Sequence, residues 1–137
     1  MTVIDASNLI MGRLASEVAK KLLNGEEIII VNSEKCVITG SKRFLTSLYK
    51  TKQTRGSPEK GPYFPKRPDK ILRRTIRGML PFKKARGKEA YRRLKVYVGV
   101  PNGINDYETM PAISLSNLST IKYVHLEDIS RRLGSRF

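Results

Sequence analysis

The positive charge of this chain is concentrated in one central block, and this concentration limits how the chain can fold. The sequence has a formal net charge of +15, and 19 of its 27 Lys and Arg residues lie between Lys42 and Lys95, opposed by only three acids. A compact domain repels itself at such a charge density unless an anionic partner supplies counter-charge. A nucleic-acid backbone suits a long mixed field of Lys and Arg, because its condensed counterions are released on binding. The charge therefore predicts a nucleic-acid-binding protein.

The length and the apolar content predict one folded domain over residues 1–137. With 39% hydrophobic residues, a chain of 137 residues can bury most of its apolar surface in a single core. The longest apolar run, at residues 28–31, is far too short to span a bilayer, and no signal peptide is visible. The single cysteine, Cys36, excludes an internal disulfide and fits a reducing compartment. We therefore expect a cytoplasmic protein without a membrane partner.

Strand-like and helix-like segments alternate along the first half of the sequence. Residues 10–23 carry apolar side chains at helical spacing and follow a potential capping pair, Ser7 and Asn8. Residues 27–32 are rich in β-branched side chains, as in a parallel strand that is buried on both faces. A further short strand is expected at residues 36–39, before a turn into another helix. This alternation predicts an α/β fold built from layers.

The helix predicted at residues 69–80 separates apolar from basic side chains most clearly. Its apolar residues cover one half of the helical wheel, with Asp69 as the expected cap and Pro81 as the stop. The opposite arc holds four cations with no acid between them: Lys70, Arg73, Arg74 and Arg77. Because like charges at this spacing repel each other, an ordinary solvent-exposed helix face usually has Glu residues between its cations. We therefore favour contact with phosphates over a surface helix that charge merely keeps soluble.

The segment at residues 51–69 breaks the alternation. It has four prolines and two glycines and keeps no periodicity, so we expect it to be mobile when the protein is alone. It also holds five Lys and Arg residues and the aromatic pair Tyr63 and Phe64. One interpretation is a disordered solvent loop. The combination of cations with aromatic rings favours the other, a basic extended arm that orders against RNA.

A second basic segment, at residues 83–95, leads into a strand predicted at residues 96–98. Most of the positive field therefore lies on elements that the core anchors, with the arm beside them. This arrangement does not by itself distinguish RNA from DNA. The candidate RNA-binding residues are Arg13, Lys42, Arg43, Lys50, Lys52, Arg55, Lys60, Tyr63, Phe64, Lys66, Arg67, Lys70, Arg73, Arg74, Arg77, Lys83, Lys84, Arg86, Lys88, Arg92, Arg93 and Lys95.

Four stretches of the sequence resemble the universal large-subunit ribosomal protein L-thirteen family in its archaeal form. They are NLIMGRLAS at residues 8–16, VNSEKCVITGSK at 31–42, RRTIRGMLP at 73–81 and ARGKEAYRRLKVYVGVP at 85–101. The resemblance implies a three-layer α/β/α fold around a mostly parallel central sheet, with extended loops on large-subunit rRNA and neighbouring ribosomal proteins as further partners. It also implies an early role in subunit assembly, without enzymatic activity, cofactor or small-molecule substrate. Residues 102–120 match little of the family.

Residues with catalytic potential are few and isolated. His125 is the single histidine and has no cysteine or second histidine at ligand spacing, which favours a structural role. Lys35 could lower the pKa of Cys36, but a position in a β-branched strand favours a buried core residue. Ser41 follows a glycine and precedes a predicted helix, so we expect it to be the helix N-cap. The backbone amides there could also contact a phosphate, and the two roles are compatible. The surrounding sequence lacks the residue order of a P-loop. We predict no catalytic or metal site.

Two functions of different classes remain open. The first is a structural constituent of the large ribosomal subunit. For it we expect that changing Arg73, Arg74 and Arg77 to Glu blocks incorporation while the isolated domain still folds. The second is a free regulatory RNA- or mRNA-binding protein that represses translation, or a small nucleic-acid enzyme. It predicts that most of the protein sediments away from ribosomes, or that a turnover depends on His125 or Cys36.

Overall fold

A computed structural model describes residues 2–57, 59–104, 107 and 122–137 of the chain. Strands β1 (Thr2–Asp5), β2 (Ile28–Val31) and β4 (Leu94–Val96) form a parallel sheet in the order β1-β2-β4. Strands β3 (Val37–Thr39) and β5 (Tyr123–His125) form a separate antiparallel pair. The helices are α1 (Met11–Leu23), α2 (Lys42–Thr54), α3 (Pro68–Gly78), α4 (Ala85–Arg92) and α5 (Leu126–Arg132). The predicted α/β class is confirmed, although the sequence did not indicate that β3 leaves the parallel sheet.

Strand β2 lies at the centre of the parallel sheet because it is apolar on both faces. All four of its residues are buried, as expected for a covered parallel strand. Ile30 pairs with Ile4 of β1 on one side and with Val96 of β4 on the other. Strand β4 begins at Leu94, two residues earlier than the sequence predicts, because Leu94 pairs with Ile28 at the start of β2.

Helix α1 packs its apolar face against α3 and α4. Leu14 and Leu22 on this face are fully buried, in agreement with the predicted amphipathic pattern. The predicted cap by Ser7 and Asn8 is wrong, because the N-cap position is Ile10, which makes no side-chain cap hydrogen bond. Asn8 instead adopts a left-handed conformation with φ of 60°, and its Oδ1 lies 3.3 Å from Nε2 of His125. The asparagine therefore connects the turn after β1 to the antiparallel pair.

The irregular segment between α2 and α3 is shorter than the sequence predicts. Helix α2 continues to Thr54 and α3 begins at Pro68, so that only residues 55–67 form the arm. The side-chain amide of Gln53 donates a hydrogen bond of 3.0 Å to the carbonyl oxygen of Leu133, beyond the end of α5. This contact joins residues that are far apart in the chain, and it holds the last turn of α2 against the C-terminal segment. Pro58, within the arm, lies outside the described residues.

The residues with catalytic potential occupy structural positions. Cys36 is fully buried, its thiol donates to the carbonyl oxygen of Leu9 at 3.3 Å, and burial raises its pKa to about 12. Ser41 accepts a hydrogen bond from the backbone nitrogen of Phe44 at 3.3 Å and so caps α2, as predicted. Among the described residues, no group of three or more His, Cys, Asp and Glu side chains could hold a metal ion. No helix in the same ranges is long and apolar enough to cross a bilayer.

Candidate nucleic-acid interface

Helix α3 divides its side chains between the core and a basic face. Ile71, Leu72 and Ile76 are fully buried, which confirms most of the predicted apolar half of this helix. The helix ends at Gly78 rather than at residue 80, and Met79, predicted on the apolar half, is 44% exposed at the C-cap position. On the other side lie the four cations. Lys70 and Arg74 are exposed, whereas Arg73 and Arg77 are half-buried. The burial of the apolar side fixes the direction in which this basic face points.

The start of α3 differs in detail from the sequence prediction. The helix begins at Pro68, whose fixed φ suits the first helical position, and the N-cap residue is Arg67. The prediction that Asp69 caps the helix is therefore wrong. Asp69 lies in the first turn, where a carboxylate interacts favourably with the helix dipole, and its Oδ1 is 3.4 Å from Nε of Arg67.

Two arginines of α3 lie against aromatic rings of the segment that follows. The guanidinium carbon of Arg73 is 4.4 Å from the ring centroid of Tyr91, and that of Arg77 is 4.1 Å from the ring centroid of Phe82. The two rings pack edge to face, with their centroids 5.4 Å apart. Together these four side chains form a continuous arginine–aromatic stack. Each cation–π contact is worth about 0.5–1 kcal/mol at a partly exposed site, so the stack restrains both guanidinium groups before any ligand binds.

Gly87 allows the close backbone approach on which this stack depends. It is buried in the first turn of α4, where the loop after α3 passes. A Cβ atom at this position would overlap the carbonyl group of Pro81 and would lie 2.9 Å from the backbone nitrogen of Phe82. Only a residue without a side chain therefore lets residues 81–82 pass so close to α4 and bring Phe82 beside Tyr91.

Neighbouring clefts around α3 share its arginines. The arm cleft, between the arm and α3, has a volume of about 500 Å³, and six of its ten lining residues are cationic: Lys66, Arg67, Lys70, Arg73, Arg74 and Arg77. A second cleft of about 540 Å³ at the C-terminal end of α3 is lined by Arg74 and Arg77 again, with Lys83 and Lys84. A smaller one of about 310 Å³ adds Lys95. These nine cations form one continuous basic surface around α3.

The arm is attached to the body of the protein near its C-terminal end. Phe64 packs against the core, with its ring centroid 5.8 Å from that of Tyr49, and Nζ of Lys52 lies 5.0 and 5.6 Å from the two centroids. The hydroxyl of Ser130 donates a hydrogen bond to the carbonyl oxygen of Lys66. The sequence did not predict this anchoring, because Tyr49 and Ser130 belong to elements on either side of the arm.

The tip of the arm has a turn of its own. Ser57 and Gly61 exchange backbone hydrogen bonds of 3.2 and 2.9 Å, and the Ser57 hydroxyl accepts from the nitrogen of Lys60 at 3.0 Å. Tyr63 is 66% exposed, in contrast to its neighbour Phe64. The aromatic pair is therefore divided between two roles, with Phe64 holding the arm and Tyr63 facing the solvent. The mobility of the arm stays a prediction.

The remaining candidate residues lie outside the basic surface. Arg93 has a structural role that the sequence did not predict, because its Nη2 donates a hydrogen bond of 2.6 Å to the carbonyl oxygen of Leu22 at the C-terminal end of α1. The others are exposed on α1, α2, the arm and α4, and they are Arg13, Lys42, Arg43, Lys50, Lys52, Arg55, Lys60, Arg86, Lys88 and Arg92. Contact of these residues with RNA stays a prediction.

Sequence reasoning missed three residues that shape the interface: Phe82, Gly87 and Tyr91. One signal was present, because a glycine inside a helical segment usually has a packing reason. The two rings gave no comparable signal, since their partners lie on α3 and are brought to them by the intervening turn. The structure thus adds a supporting layer beneath cations that the sequence had identified.

Comparison with known proteins gives one consistent match. The family model described as ribosomal protein L13 matches residues 1–102. A large ribosomal subunit protein uL13 from Methanosarcina barkeri is 58% identical, with 100% of both chains covered. Proteins of the same name from Archaeoglobus fulgidus and Methanocaldococcus jannaschii are 54% and 51% identical, covering 98% and 100% of this chain and 88% and 100% of theirs. The region matched by the family model includes the whole basic surface.

Proposed function

Because the chain belongs to the ribosomal protein L13 family, we propose that it is a structural, non-enzymatic constituent of the large ribosomal subunit in the cytoplasm and binds large-subunit rRNA through the basic surface. The observation that carries this proposal is the face of α3, where four cations have no acid between them and where the arm cleft and the cleft at the C-terminal end of the helix share Arg74 and Arg77. Guanidinium and ammonium groups donate charge-assisted hydrogen bonds to phosphate oxygens, and such contacts position a protein on RNA.

Electrostatic repulsion within the basic surface supports a phosphate ligand. Lys70 and Arg74, like Arg73 and Arg77, are one helical turn apart, and each such like-charge pair destabilises an isolated helix by a few tenths of a kcal/mol. Phosphates placed between these cations would turn repulsion into attraction and release counterions from the RNA. The arginine–aromatic stack reduces the ordering that binding requires, since two of the guanidinium groups already rest on rings.

An early role in subunit assembly fits the same geometry. Four of the nine cations of the basic surface lie on α3, whose apolar side is buried in the core, so this part of the surface does not need RNA in order to form. A preformed surface of this kind can hold rRNA segments before neighbouring ribosomal proteins arrive. Those proteins would then complete the surroundings of the chain in the mature subunit.

The structure changes the experiment that tests this function. Replacing Arg73 and Arg77 by Glu would also remove the cations from the faces of Tyr91 and Phe82, so a loss of incorporation by the triple Glu variant would not separate lost phosphate contact from lost stability. Lys70 and Arg74 are exposed and are the better targets. The double variant Lys70→Glu/Arg74→Glu is therefore compared with Lys20→Glu/Lys21→Glu, which makes the same change in net charge at the far end of α1.

The expected result is selective loss of incorporation. Tagged proteins are expressed beside the untagged one, and cell extracts are separated on sucrose gradients. The Lys70→Glu/Arg74→Glu variant should stay near the top of the gradient, while the control variant and the unmodified protein co-sediment with large subunits; circular dichroism verifies that both variants fold. Equal incorporation of the two variants would exclude the basic surface as the rRNA contact. An unmodified protein that sediments away from subunits would favour the free regulatory RNA binder.

A further inference from the structure

The arm cleft is an open groove between the arm and α3. Its volume of about 500 Å³ falls in the range of sites that bind small ligands. The arm contributes Tyr63 and Pro65 to the lining, whereas α3 contributes Lys70 and Arg74. The wide, shallow minor groove of an A-form duplex is recognised by shape along its surface and does not need a concave site of this size. The cleft therefore suits a chemical group that projects from the RNA.

Tyr63 provides a positioned aromatic face at this cleft. The residue is 66% exposed, yet its ring lies close to the backbone of the arm, because a Cβ atom at Gly61 would be only 3.1 Å from two of the ring carbons. The ring is thus supported from one direction and accessible from another. Exposed aromatic rings of this kind stack on RNA bases that have left their own helix.

Arg73 provides a restrained cation in the same lining. Its guanidinium group rests on Tyr91 at 4.4 Å, and its Nε is buried without a hydrogen-bond partner among the described residues. Lys70, Arg74 and Arg77 of the same helix also line the cleft. Acceptor oxygens are the complement of these groups, and a nucleotide offers them on its phosphate and on its base.

We propose that the arm cleft seats a single unstacked nucleotide of the RNA, with its base on Tyr63 and its phosphate against the cations of α3. This inference rests on the proposed function and names the kind of RNA element that the surface receives, which is a bulged or looped nucleotide rather than continuous duplex. It differs from general phosphate contact because it requires a base and an aromatic ring.

Equilibrium binding to three RNA probes separates stacking from phosphate contact. The probes are a fluorescein-labelled oligouridylate of about twelve nucleotides, an abasic ribose-phosphate oligomer of the same length, and an RNA duplex of the same length. The full chain is compared with Tyr63→Ala and Tyr63→Phe. Tyr123→Ala is the matched control, because Tyr123 is an exposed tyrosine of β5 outside the basic surface. Arg74→Gln tests the phosphate contacts.

Loss of the ring should affect only the probe that has unpaired bases. We expect Tyr63→Ala to weaken oligouridylate binding about 5- to 150-fold, the loss that corresponds to one base–aromatic stack, and Tyr63→Phe to restore most of it. Binding of the abasic oligomer and of the duplex should stay unchanged in Tyr63→Ala, as should all binding by Tyr123→Ala. The inference would be overturned if Tyr63→Ala weakened binding of all three probes equally, or if it weakened binding of none of them.

The variant Arg74→Gln reports on the proposed function separately. It should weaken binding of all three probes. For the two single-stranded probes it should also lower the slope of log affinity against log salt concentration by about 0.7. If Arg74→Gln changes nothing, the basic surface does not contact phosphates, whatever the result at Tyr63. If Arg74→Gln acts as expected and Tyr63→Ala does not, the proposed function stands and the nucleotide site is refuted.

Discussion

Replacement of Gly87 by Ala tests whether the turn between α3 and α4 sets up the arginine–aromatic stack. In an ordinary helix this change stabilises by about 1 kcal/mol, because Ala has the higher helix propensity. At position 87, however, the added Cβ would overlap the carbonyl group of Pro81 and crowd the nitrogen of Phe82 at 2.9 Å. Both are backbone groups, so no side-chain rotation can relieve the overlap. The turn has to move away from α4.

The loss of stability in Gly87→Ala can be estimated from the contacts that break when the turn moves away from α4. Overpacking of a dense site costs about 1–3 kcal/mol. Displacement of Phe82 removes its edge-to-face contact with Tyr91, worth about 0.5–1.5 kcal/mol, and weakens the contact with Arg77, worth about 0.5–1 kcal/mol. After subtraction of the propensity gain, we expect Gly87→Ala to lower the free energy of unfolding by about 1–4 kcal/mol. The melting temperature should fall by about 3–14 °C.

Urea unfolding followed by circular dichroism measures this loss, with Gly12→Ala as the matched control. Gly12 lies in the first turn of α1, as Gly87 lies in the first turn of α4, but a Cβ at position 12 would meet nothing within 4 Å. The control should keep or slightly raise the free energy of unfolding. If Gly87→Ala is as stable as Gly12→Ala, the turn is not constrained by α4 and the explanation of the stack is wrong.

Two buried or partly buried groups give further predictions. Cys36 should resist iodoacetamide at mildly alkaline pH until the protein is unfolded in urea, because it is fully buried and its pKa is raised to about 12; equal labelling rates in native and unfolded protein would contradict this. Burial opposes ionisation of Asp5, but hydrogen bonds from Asn32 and Ser7 outweigh it and lower the pKa of Asp5 below its usual value of 3.8. This stabilisation is present above that value and is lost as the pH falls through the lower pKa of the folded protein. The free energy of unfolding should therefore fall more steeply in this acidic range for the unmodified protein than for Asp5→Asn, and parallel curves would exclude the effect.

The parts of the fold that the sequence predicted are those determined by local periodicity. The apolar half of α3 and the four buried residues of β2 follow from spacing alone, because each period matches one kind of element. The sequence showed no sign of the last turn of α2, where Gln53 contacts the distant Leu133 through a hydrogen bond. The start of β4 was missed because pairing with β2 decides where that strand begins.

The candidate site divides in the same way. The cations of α3 were identified because charge and periodicity coincide on one helix. The structural role of Arg93 depends on its hydrogen bond to the C-terminal end of α1. Phe64 packs inward while Tyr63 is exposed, and this difference depends on the position of Tyr49. Neither can be deduced from neighbouring residues, because both are set by packing between elements that are distant in the chain.

The salt dependence of binding to a large-subunit rRNA transcript tests the basic surface most directly. Each lost phosphate contact lowers the slope of log affinity against log salt concentration by about 0.7–0.9. We therefore predict a steep slope for the unmodified protein, a slope lower by about 1.4–1.8 for Lys70→Glu/Arg74→Glu, and no change for Lys20→Glu/Lys21→Glu. Equal slopes for the two double variants, or a flat slope for the unmodified protein, would contradict phosphate contact by the cations around α3.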